Sequence, residues 1–230
     1  MAMAMARQFD PLTLQAVNHY AYVLAIPYGV LLPDATALRD TAEILAIAEQ
    51  SADDVNLFGA QIVRGVTLVH QNGPDREVGF GLLAKMRERA VSERFSLVAL
   101  PVADIHIAQE KTRIGDLDAA VGLLREVLDG LYDSGGSIWC ALATSALADA
   151  LLQRGGDGDL REAEAAIERL AAVPIDPGFV IHDITLLRLW ALLARAHGDE
   201  ASYRDYRDRY RAMATSLGFE GQRQWAEAMD

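Results

Sequence analysis

The stretch TRIGDLDAAVGLLREVL, residues 112–128, contains the pattern that decides the fold. A helix-like segment reaches Gly115-Asp116, and a second segment begins at once. From Leu117 to Leu131 its apolar side chains recur three or four residues apart, which is the spacing of one buried helix face. The stretch therefore predicts two helices joined by a tight turn.

The same turn recurs along the chain. Glycines that precede an amphipathic segment stand at Gly73, Gly115, Gly156 and Gly198, and successive members are 42, 41 and 42 residues apart. One further step back reaches Leu31, just before LPDATALRD. Self-similarity at a period of 20–50 residues indicates a stack of repeated supersecondary units.

Each turn has a physical reason. Glycine adopts the left-handed conformation that ends a helix without a Cβ clash. An aspartate after the glycine is expected to cap the next helix by accepting backbone N–H bonds. Pro33 and Pro74 suit a first helical turn, where an N–H is not needed.

A second set of helices, richer in apolar and small residues, precedes the turns. We predict an all-α fold: a right-handed α-solenoid of about five helix-turn-helix repeats, with a C-terminal capping helix near Gln222–Met229. Pro27 should kink or end the first helix. The predicted inner helices are roughly Leu12–Leu32, Val55–Gln71, Val102–Arg113, Ile138–Arg154 and Phe179–Ala196.

No change of composition divides the chain, so we expect one domain over residues 11–230. We interpret MAMAMARQFD, residues 1–10, as a vector-derived or disordered start of a fragment of a longer protein. The net charge of −12 argues against direct nucleic-acid or membrane binding. The single cysteine, Cys140, excludes a disulfide within the chain and favours the cytoplasm.

Several fragments that resemble chemical motifs are better explained by structure. GFGLLA at 79–84 lacks the preceding strand of a dinucleotide site, and GDGD at 156–159 lacks the ligand ladder of a calcium loop. Cys140 has small and apolar neighbours, which favours burial. Tyr203, Tyr206 and Tyr210 form a stripe that suits a core better than a ligand cage. We predict no cofactor, no metal site and no catalytic residue.

If the repeats bind something, the inner helices should line a concave groove. Polar residues within these otherwise apolar helices are the candidates, because Arg or His can pair with a carboxylate of a partner. Hydrogen bonding between helices is the alternative for each residue. The candidates are Asn18, His19, Gln61, Arg64, Asp104, His106, Asp149, His182 and Arg188.

The turn-helix pattern RIGDLDAAVGLLREVL resembles the tetratricopeptide (TPR) superfamily, although the period is longer than the usual 34 and the W-x2-L-G-x2-Y pattern is missing. The end of the chain, LWALLARAHGDEASYRDYRDRYRAMATSLGFEGQRQWAEAMD, is similar to the C-terminal tails of actinobacterial multidomain regulators. Those join a class III nucleotide cyclase or a LuxR-type DNA-binding domain to a P-loop ATPase module and a helical-repeat tail. The resemblance implies a TPR-like regulatory segment, without the cyclase or ATPase activity.

The leading hypothesis is a non-enzymatic interaction domain. Its partner would be a protein, a peptide, a neighbouring domain of the parent chain or a small effector. Homo-oligomerisation is the second hypothesis. A third is a hydrolase-type enzyme that uses His182 and Asp183.

Overall fold

The computed structural model describes residues 22–50, 53–95, 99–135, 137–176 and 178–229. Within these ranges the regular secondary structure is helical, and no strand occurs. This confirms the predicted all-α class. None of the described helices combines the length and the apolarity needed to cross a bilayer.

Ten helices have defined bounds in the described part of the chain, and most are 13–19 residues long. They are α1 Ala35–Gln50, α2 Asp54–Val69, α3 Pro74–Ser92, α4 Leu100–Arg113, α5 Leu117–Ser134, α6 Ser137–Arg154, α7 Asp159–Ala171, α8 Val180–His197, α9 Glu200–Leu217 and α10 Glu220–Glu227.

The contacts divide the chain into two compact units, Met1–His106 and Ile107–Asp230. In the first unit α1 packs on α2, and α2 packs on α3. Ahead of α1, residues 22–25 are helical and a turn follows at 26–29, which agrees with the predicted effect of Pro27. The predicted residues Asn18 and His19 lie outside the described ranges.

A close crossing of α2 and α3 depends on two glycines. A Cβ built on Gly79 would lie 2.6 Å from both Leu68 Cβ and the Val69 backbone nitrogen, and 2.9 Å from the Gly65 carbonyl oxygen. Leu83 in turn packs over Gly65, where an added Cβ would meet its side chain at 2.9 Å. The glycines of GFGLLA therefore serve helix packing in part, as the sequence indicated.

In the second unit each helix from α5 to α10 packs on the next one along the chain, and α6 also packs on α8. The apolar faces meet in a core that includes Leu124, Leu151, Ile167 and Leu189, all fully or almost fully buried. The short α10 closes this core with Ala226, and it begins two residues before the predicted capping helix.

The predicted turn glycines adopt positive φ at Gly73, Gly115 and Gly198. In the third turn the prediction is wrong by one or two residues, because Gly155 and Gly158 take that conformation while Gly156 does not. Gly156 instead donates its backbone N–H to the Asp159 carboxylate at 2.8 Å. The local Gly-Gly-Asp-Gly sequence offers three glycines, and the periodicity cannot distinguish among them.

Aspartate capping is confirmed at the Gly198 turn and is wrong at the turns of Gly73, Gly115 and Gly156, where the N-cap residue makes no side-chain capping hydrogen bond. Asp199 accepts the N–H groups of Ala201 and Ser202 and so caps α9. Asp116 stands at the N-cap of α5 but makes no capping hydrogen bond, because its carboxylate accepts from Lys111 Nζ at 2.8 Å. An ion pair with the preceding helix has replaced the cap at this position.

Candidate functional site

The predicted groove residues Asp149 and Arg188 contact each other in the second unit. Asp149 lies on α6 and Arg188 on α8, and Nη2 of Arg188 lies 3.0 Å from each carboxylate oxygen of Asp149. The two side chains are 42% and 21% exposed, respectively. They therefore form a partly accessible ion pair between two helices that are not consecutive in the chain.

Trp225 completes this cluster. It lies on α10 and is 36% exposed, with its ring centroid 6.0 Å from the guanidinium carbon of Arg188. A guanidinium at this distance from an indole is within cation–π range. The sequence placed Trp225 in the capping helix but gave no signal that it would reach Arg188. We call Asp149, Arg188 and Trp225 together the Arg188 face.

The core beneath the Arg188 face holds α8, α9 and α10 together. Tyr210 is fully buried, and its hydroxyl donates to the side-chain carbonyl of Gln222 on α10. The Tyr203 hydroxyl donates to the backbone carbonyl of Met229. Tyr206 packs against the same cluster. The tyrosine stripe is therefore core, as predicted, and it fixes the helix that carries Trp225.

Electrostatics favour a permanently charged Arg188. Burial lowers the pKa of its guanidinium, but the Asp149 carboxylate and its hydrogen bond outweigh this effect, so that the pKa is raised overall. Burial also raises the pKa of the nearby Tyr210 hydroxyl, which keeps that group neutral. The face thus presents one fixed cation beside an aromatic ring.

Two other arginines of the same unit are held differently. Arg125 donates through Nε and Nη2 to both carboxylate oxygens of Glu162, at 2.6 and 2.5 Å. Arg154 donates through the same two nitrogens to Asp159, and through Nη1 to Asp118 at 2.8 Å. Arg188, by contrast, uses a single nitrogen for its carboxylate.

Two predicted candidates of the first unit, Arg64 and Asp104, make contacts between helices. Arg64 Nη1 donates to the carbonyl of Leu38 on α1 at 2.7 Å, and Asp104 accepts from Arg87 Nε. Gln61 is half-buried on α2. Arg64 and Asp104 have protein partners that account for their positions, which supports the alternative of hydrogen bonding between helices.

His106 lies against His70, a pairing that the sequence did not predict. Their Nε2 atoms are 3.3 Å apart, and Nδ1 of His106 is 2.7 Å from the Val102 carbonyl oxygen. A carbonyl accepts only, so Nδ1 of His106 carries the proton. In the neutral pair His106 Nε2 is then the acceptor, and His70 Nε2–H must be the donor.

Both imidazoles resist protonation. Burial, the neighbouring His106 and Arg76 lower the pKa of His70 to about 3. Burial lowers the pKa of His106 to about 4, against the opposing hydrogen bond to Val102, and Arg76 adds to the decrease. The ordinary value in an unfolded chain is near 6.5.

We therefore expect acid to destabilise the first unit through this pair. The neutral forms stabilise the fold fully above about pH 6.5, and this contribution falls as the pH approaches the folded values, by up to roughly 1.4 kcal/mol per pH unit for each histidine. Urea denaturation at pH 7.5 and pH 5 would measure the loss. His106→Asn keeps a donor for Val102 but cannot titrate, so its pH dependence should be shallower than that of the wild type. An equally steep dependence would contradict the assignment.

The His182 and Asp183 pair has a structural environment. His182 is buried, and its Nε2 donates to the Leu170 carbonyl at 3.0 Å. Its Nδ1 lies 3.8 Å from Asp183, whose side chain is 62% exposed. Cys140 is buried, as predicted, and burial raises the pKa of its thiol despite Arg169. In the described ranges no three His, Cys, Asp or Glu side chains are grouped to hold a metal ion.

Comparison of the chain with family models, with curated proteins and with solved structures finds no match.

Proposed function

We propose that this chain is a non-catalytic, TPR-like helical-repeat domain that binds a peptide segment of a protein partner at the Arg188 face. The observation that carries the proposal is the partly exposed Arg188, which lies between Asp149 and Trp225 on three separate helices. The partner would be another protein or a neighbouring domain of a larger cytoplasmic regulator, in line with the resemblance of the sequence to regulator tails.

The separations of contacting residues support a repeat architecture within each unit. In a stack of helix pairs, equivalent positions of adjacent repeats lie side by side, so partners should be about one period apart. Six polar contacts between described residues join partners that are 36–40 residues apart. They are Gln71–Pro33 and His70–His106 in the first unit, and Arg154–Asp118, Arg125–Glu162, Arg169–Asp129 and Arg188–Asp149 in the second.

The helix contacts of the second unit support the same arrangement. The helices α6 and α8 touch each other, and α7 packs against both. This is the contact pattern expected when α6 and α8 are inner helices of adjacent repeats and α7 is an outer helix. Asp149 and Arg188 then lie on the inner layer, where a groove would bind a peptide.

The residue types of the Arg188 face suit protein recognition. Tryptophan and arginine are enriched among the residues that dominate binding energies at interfaces. Trp225 offers a rigid apolar surface, and Arg188 offers a directional cation beside it. The nearest alternative, the His182 and Asp183 pair, has its ring buried and one nitrogen already bonded to a carbonyl.

Selection of random peptides displayed on phage, with the purified chain as bait, tests the proposal. We expect peptides to be enriched on the wild type, and their affinity to fall at least tenfold with Arg188→Ala or Trp225→Ala, because each change removes one anchor. Arg204→Ala on α9 is a matched control, since this exposed arginine is paired only with Glu200 at 4.0 Å. Selected peptides that bind both variants as well as the wild type would refute the Arg188 face as the site.

Light scattering after size exclusion addresses the hypothesis of self-association. A monomer at high protein concentration would exclude self-association and would leave binding of a peptide as the proposed function. A stable dimer that Trp225→Ala dissociates would instead assign the same face to a second copy of the chain.

A further inference from the structure

We propose that the Arg188 face takes the carboxylate side chain of an Asp or Glu in its partner peptide, and that Asp149 competes with that carboxylate for Arg188. The inference depends on the proposed function, because it names the ligand chemistry and the regulation of the same face. Asp149 would act as an internal substitute for the partner's carboxylate.

Arg188 has N–H donors that its pairing with Asp149 does not use. A guanidinium has five N–H donors in a fixed fork. Arg188 directs only Nη2 to Asp149, with both oxygens 3.0 Å from that one nitrogen. Among the described residues no atom accepts a hydrogen bond from its Nε or Nη1. A partly buried guanidinium with open donors is a site for an additional or better placed oxyanion.

Two other ion pairs of the unit use more of the arginine N–H donors than the Arg188–Asp149 pair does. Arg125 and Arg154 each bind a carboxylate through two nitrogens, in the parallel geometry that is strongest for this pair. Arg188 and Asp149 do not reach that geometry. Their pairing should therefore be the easiest of the three to exchange for an external carboxylate.

The surroundings favour a carboxylate with an apolar neighbour. Asp149 stays close to Arg188 after displacement, and its negative charge opposes a dianionic phosphate more strongly than a monoanionic carboxylate. The net charge of −12 acts in the same direction. The Trp225 ring beside the guanidinium can pack against an apolar side chain next to the acidic one. We therefore expect the ligand to be an Asp or Glu flanked by apolar residues.

Competition by Asp149 for Arg188 should lower the affinity of the protein for the partner peptide. The apparent dissociation constant of a ligand equals its intrinsic constant divided by the fraction of protein in which the site is open. If Asp149 occupies Arg188 most of the time, removal of its charge should strengthen peptide binding. Most substitutions at a binding surface weaken binding, so an increase in affinity is a specific signature.

Fluorescence anisotropy with labelled peptides tests this inference. The probe is the C-terminally amidated peptide Gly-Ala-Leu-Glu-Leu-Ala-Gly, and its counterpart has Gln in place of Glu. We expect the wild type to bind the Glu peptide and Asp149→Asn to bind it about tenfold more tightly. Arg188→Gln should lose the binding. Glu162→Gln is the matched control, because it makes the same charge change and frees Arg125 in the same unit, and it should leave the affinity unchanged.

Other outcomes overturn the inference. An unchanged or weaker affinity of Asp149→Asn, equal binding of the Gln peptide, or no binding of the Glu peptide by either protein would each do so. Tighter binding of a phosphoserine peptide, or of the Gln peptide with a free C-terminal carboxylate, would assign the face to another anion. The phage selection distinguishes these failures from failure of the proposed function, since peptides without acidic residues that still require Arg188 and Trp225 would support the function alone.

Discussion

Replacement of Gly79 by alanine should lower the free energy of unfolding by about 2–3 kcal/mol. The new methyl group would lie 2.6 Å from the backbone nitrogen of Val69 and from Leu68 Cβ, and 2.9 Å from the Gly65 carbonyl oxygen. Two of these three atoms belong to the backbone of α2, so a rotamer change cannot relieve the clash. The helices α2 and α3 would have to separate, and urea denaturation followed by circular dichroism would measure the cost.

Gly81 provides the matched control two residues later on the same helix. A Cβ at Gly81 meets no atom within 4 Å. Gly81→Ala should therefore be neutral or stabilising by up to about 1 kcal/mol, because alanine has the higher helix propensity. If both substitutions had the same effect, the close crossing of α2 and α3 would be wrong.

Tyr210→Ala should have the largest effect in the second unit, a loss of about 3–5 kcal/mol. The side chain is fully buried within the cluster that joins α8, α9 and α10, and its hydroxyl donates to Gln222. Truncation leaves a cavity and also removes one hydrogen bond to the buried Gln222 side chain. Thermal and urea denaturation would measure the loss.

Tyr210→Phe separates packing from hydrogen bonding. It retains the ring and removes only the hydroxyl, so we expect a loss of about 0.5–1.5 kcal/mol from the missing hydrogen bond to Gln222. Because α10 carries Trp225, Tyr210→Ala should also lower the affinity of the Arg188 face for any peptide it binds. Tyr210→Phe should lower that affinity less. Unchanged stability of Tyr210→Ala would show that the tyrosine stripe is not core.

Much of the local structure follows from the sequence. The periodic glycines predicted three of the four turn positions, and the apolar spacing after each turn predicted the amphipathic helices, because both depend on interactions within a few residues. The same reasoning recognised the burial of Cys140 and of the tyrosine stripe. The exact glycine of the third turn and the cap at Asp116 differed, since Gly155 and Gly158 can also adopt positive φ and Lys111 pairs with the Asp116 carboxylate.

The candidate site was only partly predictable. The polar character of Asp149 and Arg188 within apolar helices marked both residues, but the sequence could not show that they pair with each other. It also gave no indication that Trp225 reaches Arg188 or that His70 meets His106, since no short spacing relates these residues.

The sequence by itself determined, to within a few residues, where the helices begin and end, and it determined which of their faces are apolar, because hydrogen bonds and side-chain periodicity within a helix are local. Only the tertiary structure decided which polar side chains meet. Residues about 36–40 positions apart come together when helices pack, and a small rotation of one helix would change the partner of Arg188 without changing any local pattern.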